Sequence, residues 1–196
     1  RHTRLQGDWS SDVCSSDLSI IVRQSVFEPL QTGILVIDSI VPIGHGQREL
    51  IVGDRGLGKT CIGLDTILNQ KYKKVLCVYS SIGQKCTSIL DVFMVLIRFD
   101  SVFYLSIVLS PSSSSALSQF LCAYSSACLS EFFMIVKQIS VFLMLDDLSK
   151  HAISAREIFF VHSRLLERSS KLSSSVGGGS CSRFVHEQSL TLYRHK

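Results

Sequence analysis

From position 25 onward, apolar residues fall alternately into short runs and spaced stripes. Leu50, Ile51 and Val52 form a short run that ends in a glycine-rich loop. A short apolar run bounded by turn residues predicts a strand. Behind the loop, Cys61, Leu64 and Leu68 share one face of a helix expected from 59 to about 70. Residues 75–79 read as a buried strand. Leu90, Phe93, Met94 and Ile97 stand at i, i+3, i+4 and i+7, which predicts the apolar face of a second helix. Residues 102–109 give the next strand. Leu117, Phe120, Leu121 and Tyr124 repeat the helical spacing, and residues 139–145 form a strand that runs into Asp146. Strands alternating with helices imply a parallel sheet covered on both faces.

The chain has 196 residues and a formal charge of +4, with 46% apolar and 18% charged residues. Its length suits one ordinary domain, long enough to fold without disulfides. Disorder of the whole chain is excluded, because that requires low hydrophobicity and high charge. The longest apolar runs, 89–97 and 132–145, fall short of the ~20 residues of a membrane span, so no direct span is expected. The charge is too mild to argue for nucleic acid, and Lys71, Lys73 and Lys74 read as a solvated loop. Seven cysteines and six histidines are scattered, with no C-x-x-C pair. That argues against a disulfide framework or a zinc site.

Residues 1–18 are set apart by a near-repeat, Ser10-Ser11-Asp12-Val13 and Ser15-Ser16-Asp17-Leu18. They look like a foreign, adaptor-like segment, and no fold is expected there. Their acidic residues count against a transit peptide. The first residue is Arg1 rather than Met, as expected of a fragment or processed chain. The folded domain is expected over 19–182. Residues 183–196 read as an irregular tail, and the Ser- and Gly-rich stretch 173–182 as a flexible turn.

The residues Gly53, Asp54, Arg55, Gly56, Leu57, Gly58, Lys59 and Thr60 match G-x-x-x-x-G-K-[ST], with a strand before and a helix after. Glycines let phosphate oxygens approach backbone N–H groups, and the helix N-terminus adds partial positive charge. Lys59 would neutralise the β and γ phosphates. Thr60 would give its hydroxyl oxygen to Mg2+. Asp146, at the end of an apolar strand, supplies the acid that would hold Mg2+ through water. Cys61 and Gln84 complete the candidate nucleotide site of ATP or ADP with Mg2+.

The flanks narrow the class. The loop is preceded by Glu28-Pro29-Leu30-Gln31-Thr32-Gly33, Ile37-Asp38-Ser39 and Pro42-Ile43-Gly44-His45-Gly46-Gln47-Arg48-Glu49-Leu50. It is followed by Asp65-Thr66-Ile67-Leu68-Asn69-Gln70, Cys77-Val78-Tyr79 and Ile82-Gly83-Gln84-Lys85. Then come Asp146-Asp147-Leu148-Ser149-Lys150 and His162-Ser163-Arg164-Leu165-Leu166-Glu167-Arg168. This ordered series resembles the α subunits of F-type ATP synthases, in their plastid form, from about Ser25 to Ser180.

The resemblance implies a RecA-like P-loop α/β domain, a mostly parallel sheet with helices on both faces, here incomplete. It implies an ATP-binding, non-catalytic regulatory α subunit of a proton-translocating synthase. The partners would be β subunits and other subunits of the soluble head. The expected place is the stromal side of the chloroplast thylakoid membrane, with the mitochondrial inner membrane as the alternative. Catalytic β subunits carry a Glu that activates water where this chain has Gln84, and an amide is no general base. No catalytic residue is therefore assigned.

The chain also departs from the family. Gly56 and Leu57 replace Gln and Thr of the family loop, and His45 replaces an Arg. A segment of roughly fifteen to twenty residues, an ordinary helix-plus-loop length, is missing near 157–159. Two alternatives stay open. One is a degenerate gene fragment that does not assemble. The other is an independent P-loop ATPase, which the Gln at position 84 disfavours.

Overall fold

The computed structural model describes residues 25–54, 56–158, 170–171 and 179–188. A small antiparallel pair, β1 (Pro29–Leu30) and β2 (Ile43–Gly44), brackets the short helix α1 (Leu35–Ile40). The main sheet follows. Strand β3 (Arg48–Gly53) leads into helix α2 (Lys59–Asn69), then strand β4 (Val75–Gln84) and helix α3 (Cys86–Arg98). A 3-10 turn (Ser101–Tyr104) precedes β5 (Leu105–Pro111), and helix α4 (Ala116–Val136) leads to β6 (Ser140–Asp146). Helix α5 (Leu148–Ile158), the two-residue β7 (Ser170–Lys171) and β8 (Ser180–Gln188) complete the order.

The sheet runs β3-β8-β6-β4-β5, with all four pairings parallel, and β7 lies antiparallel to β8. Side chains alternate across the central strands, as the period of two requires. Cys77, Tyr79, Phe142, Met144 and Phe184 face α2 and α3, joined by Leu64, Ile67 and Leu96. Val78, Ile82, Val141, Leu143 and Leu145 face the other way, against Cys122, Ala123 and Ala127 of α4 and Leu148 of α5. This is the α/β nucleotide-binding architecture that the sequence predicts. Strands covered on both faces read as near-continuous apolar runs, which is why β4 and β6 are legible.

Several expectations are corrected. The tail expected from 183 begins with strand: β8 covers Ser180–Gln188 and lies between β3 and β6. A central strand is normally apolar, but Ser180, Ser182 and Arg183 are buried polar residues here. Helix α3 forms, yet it turns a different face inward. Ile89 and Leu96 are buried, whereas Leu90 and Met94 are 59% and 65% exposed. On α4, Leu117 and Leu121 are exposed, and the buried face carries Ala123, Ser126, Ala127 and Ser130. Small side chains let a helix approach a sheet closely, and a pattern of large apolar residues misses that face. The strand expected from 102 begins at Leu105, after the 3-10 turn.

Helix α4, with 21 residues, is also long and apolar enough by composition to cross a membrane, a stretch absent from the expected candidates. In this fold it packs against β4, β5 and β6. The adaptor-like residues 1–18 and the His162–Arg168 motif lie outside the described residues. Of the junction expected near 157–159, residues 157 and 158 end helix α5, and 159 lies outside the described residues.

Candidate functional site

The loop after β3 is built from two left-handed glycines. Gly56 has φ +79° and Gly58, which caps α2, has φ +75°. A Cβ at either would meet nothing within 4 Å. Glycine suits both positions for backbone conformation and not for space, and of the two only Gly58 is a fixed position of the pattern. Leu57 is 68% exposed and Asp54 is exposed, so the loop crest lies in solvent. Arg55 lies outside the described residues.

Lys59, at the start of α2, is buried. Its Nζ donates to the carbonyl of Gly53 at 2.5 Å and to that of Asp54. The ammonium thus closes the turn from within. Next to it, Thr60 meets the end of β6. Its Oγ1 lies 3.4 Å from Oδ1 and 3.3 Å from Oδ2 of Asp146, a residue 86 positions away in sequence. Helix α2 can lie this close to β6 because Gly63 has no side chain. A Cβ there would come 2.2 Å from the Met144 sulfur.

Asp146 is fully buried at the C-terminal end of β6, where parallel strands present their ligand-facing edge. Tyr79 of β4, also buried, donates its hydroxyl to Asp146 Oδ2 at 2.7 Å. Burial, reinforced by the carboxylate's charge and the hydrogen bond itself, pushes the Tyr79 hydroxyl well above its ordinary value. It therefore stays protonated and remains a donor. The chain then reverses through Asp147, at φ +68°, into α5.

Gln84 ends β4 and is partly buried. Ser81 is level with Asp146 across the sheet. Gln84 thus stands three residues further on, about 10 Å along the strand. A register shift between Ile82 and Gln84 is held by Gly83. Its carbonyl accepts from Lys150 Nζ at 2.5 Å, and Lys150 also pairs with Asp147 at 3.3 Å.

The structure thus joins Thr60 to Asp146 and sets Lys59 inside the loop. The Gln84 side chain makes no hydrogen bond to any of the three. Cys61 is exposed on the first turn of α2. Tyr79 and Lys150 are the residues that sequence reasoning missed. The one available signal for Tyr79 was a polar-tipped aromatic closing an apolar strand.

The family model for the ATP synthase alpha/beta family, nucleotide-binding domain, matches residues 33–170. Among curated relatives, ATP synthase subunit alpha of Clostridium botulinum is 47% identical over 178 residues. Those of Caldanaerobacter subterraneus subsp. tengcongensis and Clostridium kluyveri are 45% and 44% identical. Each match covers 82% of this chain and 35% of the relative, so the chain spans about a third of their length. These relatives are bacterial. That overturns the expected placement at a thylakoid membrane, and equally the mitochondrial alternative.

Proposed function

The chain belongs to the ATP synthase alpha/beta family, and on that footing we propose that it binds ATP or ADP with Mg2+ at a non-catalytic site of the α type. The phosphates would lie against the loop from Gly53 to Thr60, including Arg55, with Lys59 turned toward them and Cys61 on the flanking helix turn. The observation that carries this is the meeting of Thr60 with Asp146 beside a buried Lys59. A hydroxyl and a carboxylate are the hard oxygen donors that suit Mg2+. Thr60 and Asp146 would hold the ion, which neutralises phosphate charge when bound.

The non-catalytic reading is supported by Gln84. Its amide cannot take a proton from water, and it stands well along β4 from Asp146. The three relatives reported above are named as alpha subunits, which supports an α-type role. Partners would be β-type subunits in the soluble head of a synthase that couples proton flow to ATP formation. The test is a titration with Mg-ATP. Lys59→Ala should weaken binding about tenfold or more, as loss of a charge-assisted phosphate contact does. Equal curves for wild type and Lys59→Ala would reject the site.

A second reading, a chain that keeps the fold but does not assemble, has one specific support. With 82% of 196 residues matched, 161 residues face 178 aligned positions, which leaves 17 without a counterpart here. Co-purification with a β-type subunit would decide against this second reading.

A further inference from the structure

We propose that Tyr79 is a positioning residue for Asp146, and that its hydroxyl fixes the carboxylate through which the site favours Mg2+-bound over metal-free nucleotide. This rests on the nucleotide-site reading above. Asp146 has no exposure to solvent. A carboxylate shut off from water must take its hydrogen bonds from the protein. Among its contacts with described residues are two side-chain hydroxyls, and they are not equivalent. Thr60 Oγ1, at 3.3–3.4 Å, sits astride both oxygens and beyond the usual O–H···O range. It does not select a rotamer. The Tyr79 contact to Oδ2, at 2.7 Å, is of ordinary strong geometry.

Tyr79 is itself immobile. It is 1% exposed and packs in the layer of Cys77, Phe142, Met144, Leu64 and Ile67. It stands level with Met144, two residues before Asp146, so its ring runs along β6 toward the carboxylate. Packing alone would be met by Phe, which has the same ring. The hydroxyl is the part that packing does not require, and its partner is the acid opposite Thr60. With Oδ2 tied to a rigid ring, the orientation of the carboxylate toward the loop is set before any ligand arrives, and preorganisation of this kind lowers the cost of binding.

The experiment measures ADP affinity for the chain with Mg2+ and with a chelator. The variants are Tyr79→Phe, Asp146→Asn, the double variant and Lys59→Ala, each checked for folding by circular dichroism and a melt. Tyr79→Phe should weaken Mg-ADP binding about tenfold, as loss of a hydrogen bond to a charged group does. It should leave metal-free ADP affinity unchanged. In the Asp146→Asn background, Tyr79→Phe should add nothing, because the two act through one carboxylate. Equal losses with and without Mg2+, no loss in either, or additivity with Asp146→Asn would overturn the proposal. So would a Tyr79→Phe chain that fails to fold, because the hydroxyl would then serve the scaffold. Identical titrations of wild type and Lys59→Ala would remove the nucleotide site and this proposal together, an outcome distinct from a failure confined to Tyr79.

Discussion

The buried pair between Arg183 and Glu131 is the most exposed point of the architecture to a single substitution. Arg183 lies on β8 with no solvent exposure, and its Nη2 stands 3.4 Å from Oε1 of Glu131 on α4. Replacing Arg183 by Met keeps most of the apolar stem and removes the charge. Glu131, largely buried, then loses the Arg183 charge. Breaking a buried pair from one side typically costs about 3–5 kcal/mol, against a net stability of ~5–15 kcal/mol. At about 2–4 °C per kcal/mol for a chain of this size, the melting temperature should fall by about 10 °C.

The consequence reaches the site. Strand β3 is joined to the rest of the sheet through β8. Loosening β8 therefore loosens the loop from Gly53 to Thr60 relative to Asp146, and nucleotide affinity should fall with stability. Glu131→Met should cost a similar amount. The double variant, Arg183→Met with Glu131→Met, should recover to within about 1 kcal/mol of wild type, because a buried pair replaced by apolar groups is often neutral or better. The assay is urea unfolding followed by circular dichroism, with the four chains forming a double-mutant cycle. Single variants each within about 0.5 kcal/mol of wild type, the range of ordinary surface substitutions, would refute the buried pair and the central placement of β8.

Gln84→Glu should give no steady phosphate release even with nucleotide bound, because a general base is worth about 10²–10⁴-fold and the charge-stabilising Arg typical of this chemistry a further ~10³–10⁵-fold; wild-type turnover abolished by Lys59→Ala would overturn the non-catalytic assignment. The α3 face with Leu90, Phe93, Met94 and Ile97 is exposed, and such patches promote association. Leu90→Lys with Met94→Glu should therefore lower concentration-dependent light scattering, and unchanged scattering would show that this face is not the sticky one. Burial works against the charge of Asp38, but hydrogen bonds from the Thr32 hydroxyl at 2.6 Å and from the Thr32 and Gly33 amides outweigh it. With the Lys73 charge, they hold its carboxyl below the usual range. A lowered carboxylate stabilises the fold above its unfolded value and loses that contribution as pH falls through the folded one. The stability gap between wild type and Asp38→Asn should then be full near neutral pH and close below about pH 4; a gap independent of pH would reject the clamp.

The sequence by itself determined the elements with strong local codes. The phosphate-loop pattern required Gly53 and Gly58 and its strand and helix flanks, because the left-handed turn at Gly58 is a local property. Strands β4 and β6 were legible because a strand buried on both faces must be apolar throughout. The helices α2, α3 and α4 were legible from their spacing. Only the tertiary structure decided which faces of α3 and α4 turn inward, since apolar residues occupy more than one face of each and the small residues of α4 carry no periodic signal. It alone placed β8, where Gly46 N–H donates to the buried Ser182 Oγ at 2.9 Å and Glu131 pairs with the buried Arg183. It alone brought Tyr79 to Asp146 and Lys150 to Gly83. Those contacts join residues 67 positions apart in sequence, and their cause is the parallel register of neighbouring strands, which no local pattern along the chain encodes.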